Sequence, residues 1–298
     1  MFSTDSLSIT TNPELTDPIL IAAWPGMGAV GVIAATYLRD KLEAEELGTI
    51  SPYEFFDPGA VLVYDNIVQA PELPESMFYY WKGNNKQDLI IFTAEAQPVI
   101  KSYQYASLVL DVAEKFNVKM IYTCAATPAH IYYSREPKVI GVATEPELLP
   151  GLDANGVKLL TTGSISGLNG VLLGIARKRE MRGVCLMGEI PVYMPEVKNP
   201  RAAKAVLKIL MQRLNIDIDM SEIDNWVSAM DEEVEKNIFQ LMTSSTEEAK
   251  RIVDYLERLK QKGDSEEAEG WSDQDDDEEL LKEVERFLQV QKDDPPPE

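Results

Sequence analysis

Residues 19–38, ILIAAWPGMGAVGVIAATYL, form a twenty-residue run without a charge. A run of that length has to leave water, either in a bilayer or in a protein core. Pro25-Gly26 breaks it after six residues, because proline lacks the N–H that a continuous element needs. The chain's mean hydropathy is slightly polar, at −0.19. We therefore read a buried strand, a tight turn and a buried helix, and no membrane span.

Further short apolar runs bounded by turn residues repeat the pattern along the chain: residues 61–64, 77–81, 89–93, 118–124, 139–143 and 184–187. Helical periodicity alternates with several of them, over 29–42, 100–116, 168–177 and 202–214. Alternation of this kind predicts a three-layer α/β/α fold with a mixed, mainly parallel sheet. The segment 61–81 reads as a hairpin excursion. We assign residues 1–218 to this α/β core domain.

Beyond Asp219 the pattern is helical only. Ile223, Val227, Met230, Val234, Ile238 and Leu241 keep three-to-four spacing, and Ile252, Leu256 and Leu259 repeat it. Ser245-x-x-Glu248 has the form of a capping box for the second helix. Residues 219–262 are thus expected to form a helical hairpin. Residues 263–279 read as an acidic disordered linker, since 264–279 hold ten acidic residues and no basic one. Residues 280–298 carry a short amphipathic helix and tail, whose Leu280, Leu281, Val284, Phe287 and Leu288 either dock a partner or fold back onto the body.

Charge and composition exclude several functions. The 298 residues hold 28 Lys+Arg against 50 Asp+Glu, a formal net charge of −22, which opposes nucleic acid and anionic membrane surfaces as partners. Cys124 and Cys185 each sit in an apolar run, as buried thiols of a reducing cytoplasm do. One histidine supports no multi-histidine metal site, and no other metal site or cofactor is expected. The first residues carry Asp5, Glu14 and Asp17 and no apolar stretch, so no signal peptide is expected and we assign the chain to the cytoplasm.

Gly26-Met27-Gly28-Ala29-Val30-Gly31 spells G-x-G-x-x-G between strand and helix. A dinucleotide site also needs a second strand ending in an acid about twenty residues on. The stretch LGTISPYEFFD, interrupted by Pro52, does not read as that strand. A second loop, 163–170 (GSISGLNG), opens the helix that follows it. In both helices small residues recur at i, i+3 and i+7: Gly28, Gly31 and Ala35, then Gly167, Gly170 and Gly174. Two readings are open: stripes that let helices approach the sheet closely, or two helix N-termini facing an anion.

Glu95, Thr127, His130 and Glu189 would follow strand carboxyl ends, where open α/β sheets bind ligands. The ligand pocket this allows comprises Gly26, Gly28, Glu95, Ser166, Asn169 and Glu189. No nucleophile elbow, P-loop lysine or Cys-His pair accompanies them, so no catalytic residue is assigned. The plainer reading has the carboxylates capping helices or pairing with Arg135 or Arg201.

Together, Trp24 to Gly31 (WPGMGAVG), Ala94 to Pro98 (AEAQP), Gly163 to Gly170 (GSISGLNG) and Gly188 to Pro191 (GEIP) resemble the proteasome assembly chaperone 2 family over roughly residues 15–245. The resemblance implies a phosphorylase- or hydrolase-like α/β/α fold, a helical C-terminal part and symmetric homo-oligomers. It implies no established reaction. Archaeal relatives that bind the proteasome core are associated with a hydrophobic-Tyr-any ending, whereas this sequence ends Pro296-Pro297-Glu298. The expected function is a non-catalytic homo-oligomer that binds itself and a protein assembly partner. The alternative is a protein or enzyme binding a nucleoside, nucleotide or phosphate.

Overall fold

The computed structural model describes residues 2–4, 6–83, 87–244, 246–261 and 278–288. Ten strands form one sheet: β1 (Phe2–Thr4), β2 (Leu7–Ile9), β3 (Ile19–Ala23), β4 (Glu45–Ile50), β7 (Ser76–Trp81), β8 (Leu89–Ala94), β9 (Met120–Ala129), β10 (Val139–Ala143), β11 (Lys158–Leu159) and β12 (Gly183–Pro191). Their order is β1-β2-β4-β7-β8-β3-β9-β12-β10-β11. The central four, β8, β3, β9 and β12, run parallel. Antiparallel strands flank them on each side, β7 beside β8 and β10 beside β12. A separate two-stranded hairpin, β5 (Val63–Tyr64) with β6 (Ile67–Val68), lies between β4 and β7 in the chain.

Strand alternation sorts the core into two layers. Ile19, Ile21 and Ala23 of β3 point to one face, which α1 (Val30–Lys41) and α5 (Pro200–Leu214) cover. Leu20 and Ala22 point to the other, beneath α2 (Ser102–Lys115) and α4 (Gly167–Lys178). Because both faces are covered, all five residues of β3 are buried, which is why the strand reads as an unbroken apolar run. A short α3 (Leu149–Asp153) precedes β11. The predicted three-layer architecture with a mixed, mainly parallel sheet is the one observed.

Three differences have physical causes. Residues 45–50, which did not read as a strand, are β4: it pairs antiparallel with β2 and β7 on the outer part of the sheet and exposes Glu45 and Glu46. Strands β1 and β11 escape periodicity because two or three residues are too few to show it. The excursion at 61–81 divides, β7 joining the main sheet and only β5–β6 standing apart.

A third apolar cluster lies outside both layers. Helices α6 (Ser221–Thr243) and α7 (Glu247–Gln261) form the expected hairpin, and α8 (Glu278–Leu288) packs on both. Their apolar faces enclose Tyr133, which follows β9, together with Tyr193 and Met194, which follow β12. Thr246 Oγ1 accepts the Ala249 N–H at 3.2 Å and so caps α7. Ser245 of the expected capping box lies outside the described residues, as do 263–277 of the expected acidic linker.

Candidate functional site

The first glycine loop leaves β3 at its carboxyl end and turns into α1. Gly26 is exposed, with nothing within 4 Å of where a Cβ would stand. Gly28 is buried at φ +61, a left-handed conformation that suits glycine. Its N–H donates to Pro195 O at 2.7 Å, and its carbonyl accepts the Asn199 N–H at 2.8 Å. The Ala29 N–H donates to Gly26 O at 2.9 Å. A phosphate cradle requires such amides to be free for the ligand. Here two of them are committed to carbonyls.

Gly31 has a different task. A Cβ on it would stand 2.2 Å from Cys124 O, so the missing side chain is what lets α1 lie against β9. The strand after α1 is β4, which is not adjacent to β3: β7 and β8 lie between them, and β4 pairs antiparallel with β2 and β7. The βαβ unit of a dinucleotide fold is therefore absent from this part of the sheet.

The second loop meets the first through a side chain that sequence reasoning did not assign to the site. Gln97, two residues past Glu95, donates from Nε2 to Pro25 O and accepts the Leu168 N–H at 2.8 Å on Oε1. Gly167 passes so close, at φ +73, that a Cβ would stand 2.8 Å from Gln97 Oε1. The amide of Gln97 thus stitches the two glycine loops together. Its signal in the sequence was a lone polar residue beside Pro98 at the end of β8. The stripe on α4 does not meet the sheet, however. Gly170 accommodates Ile165 O of its own loop, and Gly174 faces open space.

Neither glutamate is aimed into a pocket. Glu95 Oε2 accepts the Glu75 N–H at 2.9 Å, while the Glu95 N–H donates to Glu75 O at 3.0 Å. Glu189 repeats this with Lys138: its Oε2 accepts the Lys138 N–H and its N–H donates to Lys138 O, both at 3.0 Å. Each carboxylate closes the entry or exit of a strand beside it. They cap no helix, and Arg201 pairs instead with Asp231 and Glu136. Ser166 is exposed at the start of α4 and makes no side-chain cap. Asn169 is buried, and its Oδ1 accepts no hydrogen bond from the described residues.

The remaining polar candidates are similarly placed for structure. Cys124 and Cys185 are buried free thiols; burial pushes both pKa values up, that of Cys185 to about 11, which suppresses the nucleophilic thiolate. Tyr105, buried among Trp24, Phe55 and Phe92, shares a hydrogen bond with Ser76 Oγ. No group of three or more metal-ligating side chains occurs among the described residues. No helix among them is long and apolar enough to cross a membrane.

Clefts of about 340, 540 and 430 Å³ lie elsewhere: between Tyr132 and Phe239, between Thr144 and Arg177, and beside Met211 and Met220. None of the six expected pocket residues lines any of them. At the carboxyl ends of β9 and β12, where a ligand crevice would open, the third apolar cluster sits instead. The tail helix contributes to it: Val284 and Leu280 are buried there and Leu281 packs partly against it. The side chains of Phe287 and Leu288 lie outside the described residues. Of the two sequence readings of this helix, the structure has it folded back onto its own chain.

Comparison with known proteins agrees with this architecture. The chain is 30% identical over 223 residues to the uncharacterized protein MJ1210 of Methanocaldococcus jannaschii, covering 74% of this chain and 83% of that one. Among solved structures it is similar to PbaB of Pyrococcus furiosus, described as an archaeal proteasome activator. That likeness has 30% identity and a TM-score of 0.67, over 78% of this chain and 97% of that one. Pyrococcus furiosus PbaA, described as an archaeal homolog of proteasome-assembly chaperone, shares the fold at 24% identity and a TM-score of 0.63, over 87% and 100% of the two chains. With the sequence model of the PAC2 family matching residues 20–238, strand β3 through most of α6, this chain belongs to the PAC2 family.

Proposed function

We propose that this chain is a non-catalytic, homo-oligomeric protein that acts by protein–protein interaction in proteasome assembly or activation. The observation that carries the reading is its likeness, at 30% identity, to nearly the whole length of PbaB, a protein described as a proteasome activator. The chemistry of the strand ends supports it. Glu95, Glu189, Gln97 and the Gly28 amide hold backbone segments together, which builds a rigid scaffold and leaves those groups no role in bond making.

The test is to mix the purified full-length chain with proteasome α-subunits and with assembled core particles. Complexes are followed by native gels and light scattering, and peptide hydrolysis is measured alongside. A stable complex, or a change in assembly rate or hydrolysis, is the expected result. No complex and no change at micromolar concentrations overturns the proteasome reading.

The small-molecule reading retains one observation, the buried Asn169 Oδ1 that accepts no hydrogen bond from the described residues. A nucleoside, nucleotide or phosphate that binds the native state alone would raise the melting temperature. A flat response across such a panel removes that reading.

A further inference from the structure

Every residue from 57 to 72 is exposed, and none of them joins a core cluster. This is the excursion that carries β5 and β6, turned by Asp65 at φ 48 and Asn66 at φ 63. Positive φ at both central residues is what a type I′ hairpin requires. Its side chains are unlike those of a surface loop. Val61, Leu62, Val63, Tyr64, Ile67 and Val68 are 48 to 72% exposed, and both faces of the hairpin are apolar. An isolated two-stranded hairpin is marginal in water, and one with two bare apolar faces needs a surface to lie on.

The roots of the arm are fixed. Phe55 and Phe56 set their rings edge-on against Tyr105, at 5.0 and 6.2 Å. At the other end Ser76 bonds to the Tyr105 hydroxyl, and Glu75 is clamped by Glu95. Beside these roots, at the start of α2, lies a second apolar patch: Val99 is 95% exposed, and Ile100 and Tyr103 are 50 and 55% exposed. The two surfaces differ in charge. Residues 57–75 contain Asp57, Asp65, Glu72 and Glu75 and no basic residue, whereas Lys101 is the only charged residue between 96 and 110.

We propose that the 57–75 arm of one copy clasps the α2-start patch, Val99, Ile100 and Tyr103 around Lys101, of a second copy of this chain. The proposal rests on the homo-oligomeric reading above and names its contact. Acidic arm and basic patch complement each other between copies and oppose arm-to-arm contact. With exposed side chains of this size contributing on the order of 100 Å² each, arm and patch offer roughly 900 Å² per copy. A stable interface needs about 800 Å² per partner.

Mixed-copy cross-linking tests this in the full chain. A Val63→Cys chain is mixed with a differently tagged Val99→Cys chain and oxidised; native Cys124 and Cys185 are fully buried and do not compete. An adduct between the two tags is expected, and none when Glu232→Cys on α6 replaces Val99→Cys. Light scattering should also show that Tyr64→Ser with Ile67→Asp weakens association by about 100-fold. Melting of these variants at the wild-type temperature confirms that the exposed substitutions leave the fold intact. An oligomer that keeps its mass in the arm variant and gives no mixed adduct overturns the arm contact alone. Reaction only within one chain carrying both cysteines overturns it too. A wild-type chain monomeric at every concentration overturns the homo-oligomeric reading and the arm contact together.

Discussion

The three glycines of GMGAVG occupy three different environments, so their alanine variants should form a graded series. Gly26 has extended backbone, φ −167 and ψ −170, and free space around it. Gly26→Ala should change stability by less than about 0.5 kcal/mol. Gly28 combines φ +61 with a Cβ position 3.1 Å from Asn199 Cβ, so the neighbour must yield by a few tenths of an ångström. The left-handed conformation alone costs an alanine about 1 kcal/mol, and the contact raises the cost of Gly28→Ala to about 2. Gly31→Ala is the severe case, because its Cβ would stand 2.2 Å from the Cys124 carbonyl oxygen, a backbone atom in the middle of β9. Either α1 or β9 has to move by about 1 Å, an overpacking cost of about 3 kcal/mol or more. In a chain of this size that lowers the melting temperature by roughly 6–12 °C. Urea and thermal denaturation followed by circular dichroism give the three values directly. A Gly31→Ala protein as stable as wild type, or one less affected than Gly26→Ala, refutes the packing argument.

Replacing Gln97 by leucine keeps its volume but removes both bonds between the glycine loops. A loss of about 1–3 kcal/mol is expected, with faster amide exchange at Leu168, and unchanged exchange there would contradict the stitch. Val284→Asp places a carboxylate in the cluster formed by α6, α7 and α8. It should release α8 and speed proteolysis within 278–288 while the sheet stays folded, the lost valine burial alone being about 1.5–3 kcal/mol. Burial pushes the Tyr105 hydroxyl from 10.0 up to about 12. Its stabilising contribution is therefore complete below pH 10 and is lost as pH rises to about 12, with up to about 3 kcal/mol at stake. Tyr105→Phe should flatten that alkaline fall in urea midpoints, and an identical pH profile would assign it to other groups.

Much of the fold was legible because burial on two faces leaves a plain mark. Parallel strands β3 and β8 are buried along their whole length and β9 over its first five residues, so they are mostly apolar there, and helices α1, α2, α4 and α5 carry one apolar side each. Pairing partners left a weaker mark. Strand β4 opens on Glu45 and Glu46, which an antiparallel strand with an open face tolerates, so the chemical run EELGTI did not announce it. The candidate site was the least legible part. A glutamate after a strand looks the same in sequence whether it grips a ligand or, like Glu95 and Glu189, the backbone of the adjoining strand.

The sequence alone determined the α/β/α layering, the helical hairpin after Asp219 and the family, since each rests on periodicity or on motifs read along the chain. Tertiary structure alone decided what the glycines are for. The close approach of Gly31 to Cys124 O and the bond from Gly28 to Pro195 join residues far apart in the chain, and local sequence carries no term for such contacts. It likewise decided that the apolar face of α8 is covered while that of the 57–75 arm is bare. Both segments are apolar, and only the position of the rest of the molecule determines which one still has surface to bury.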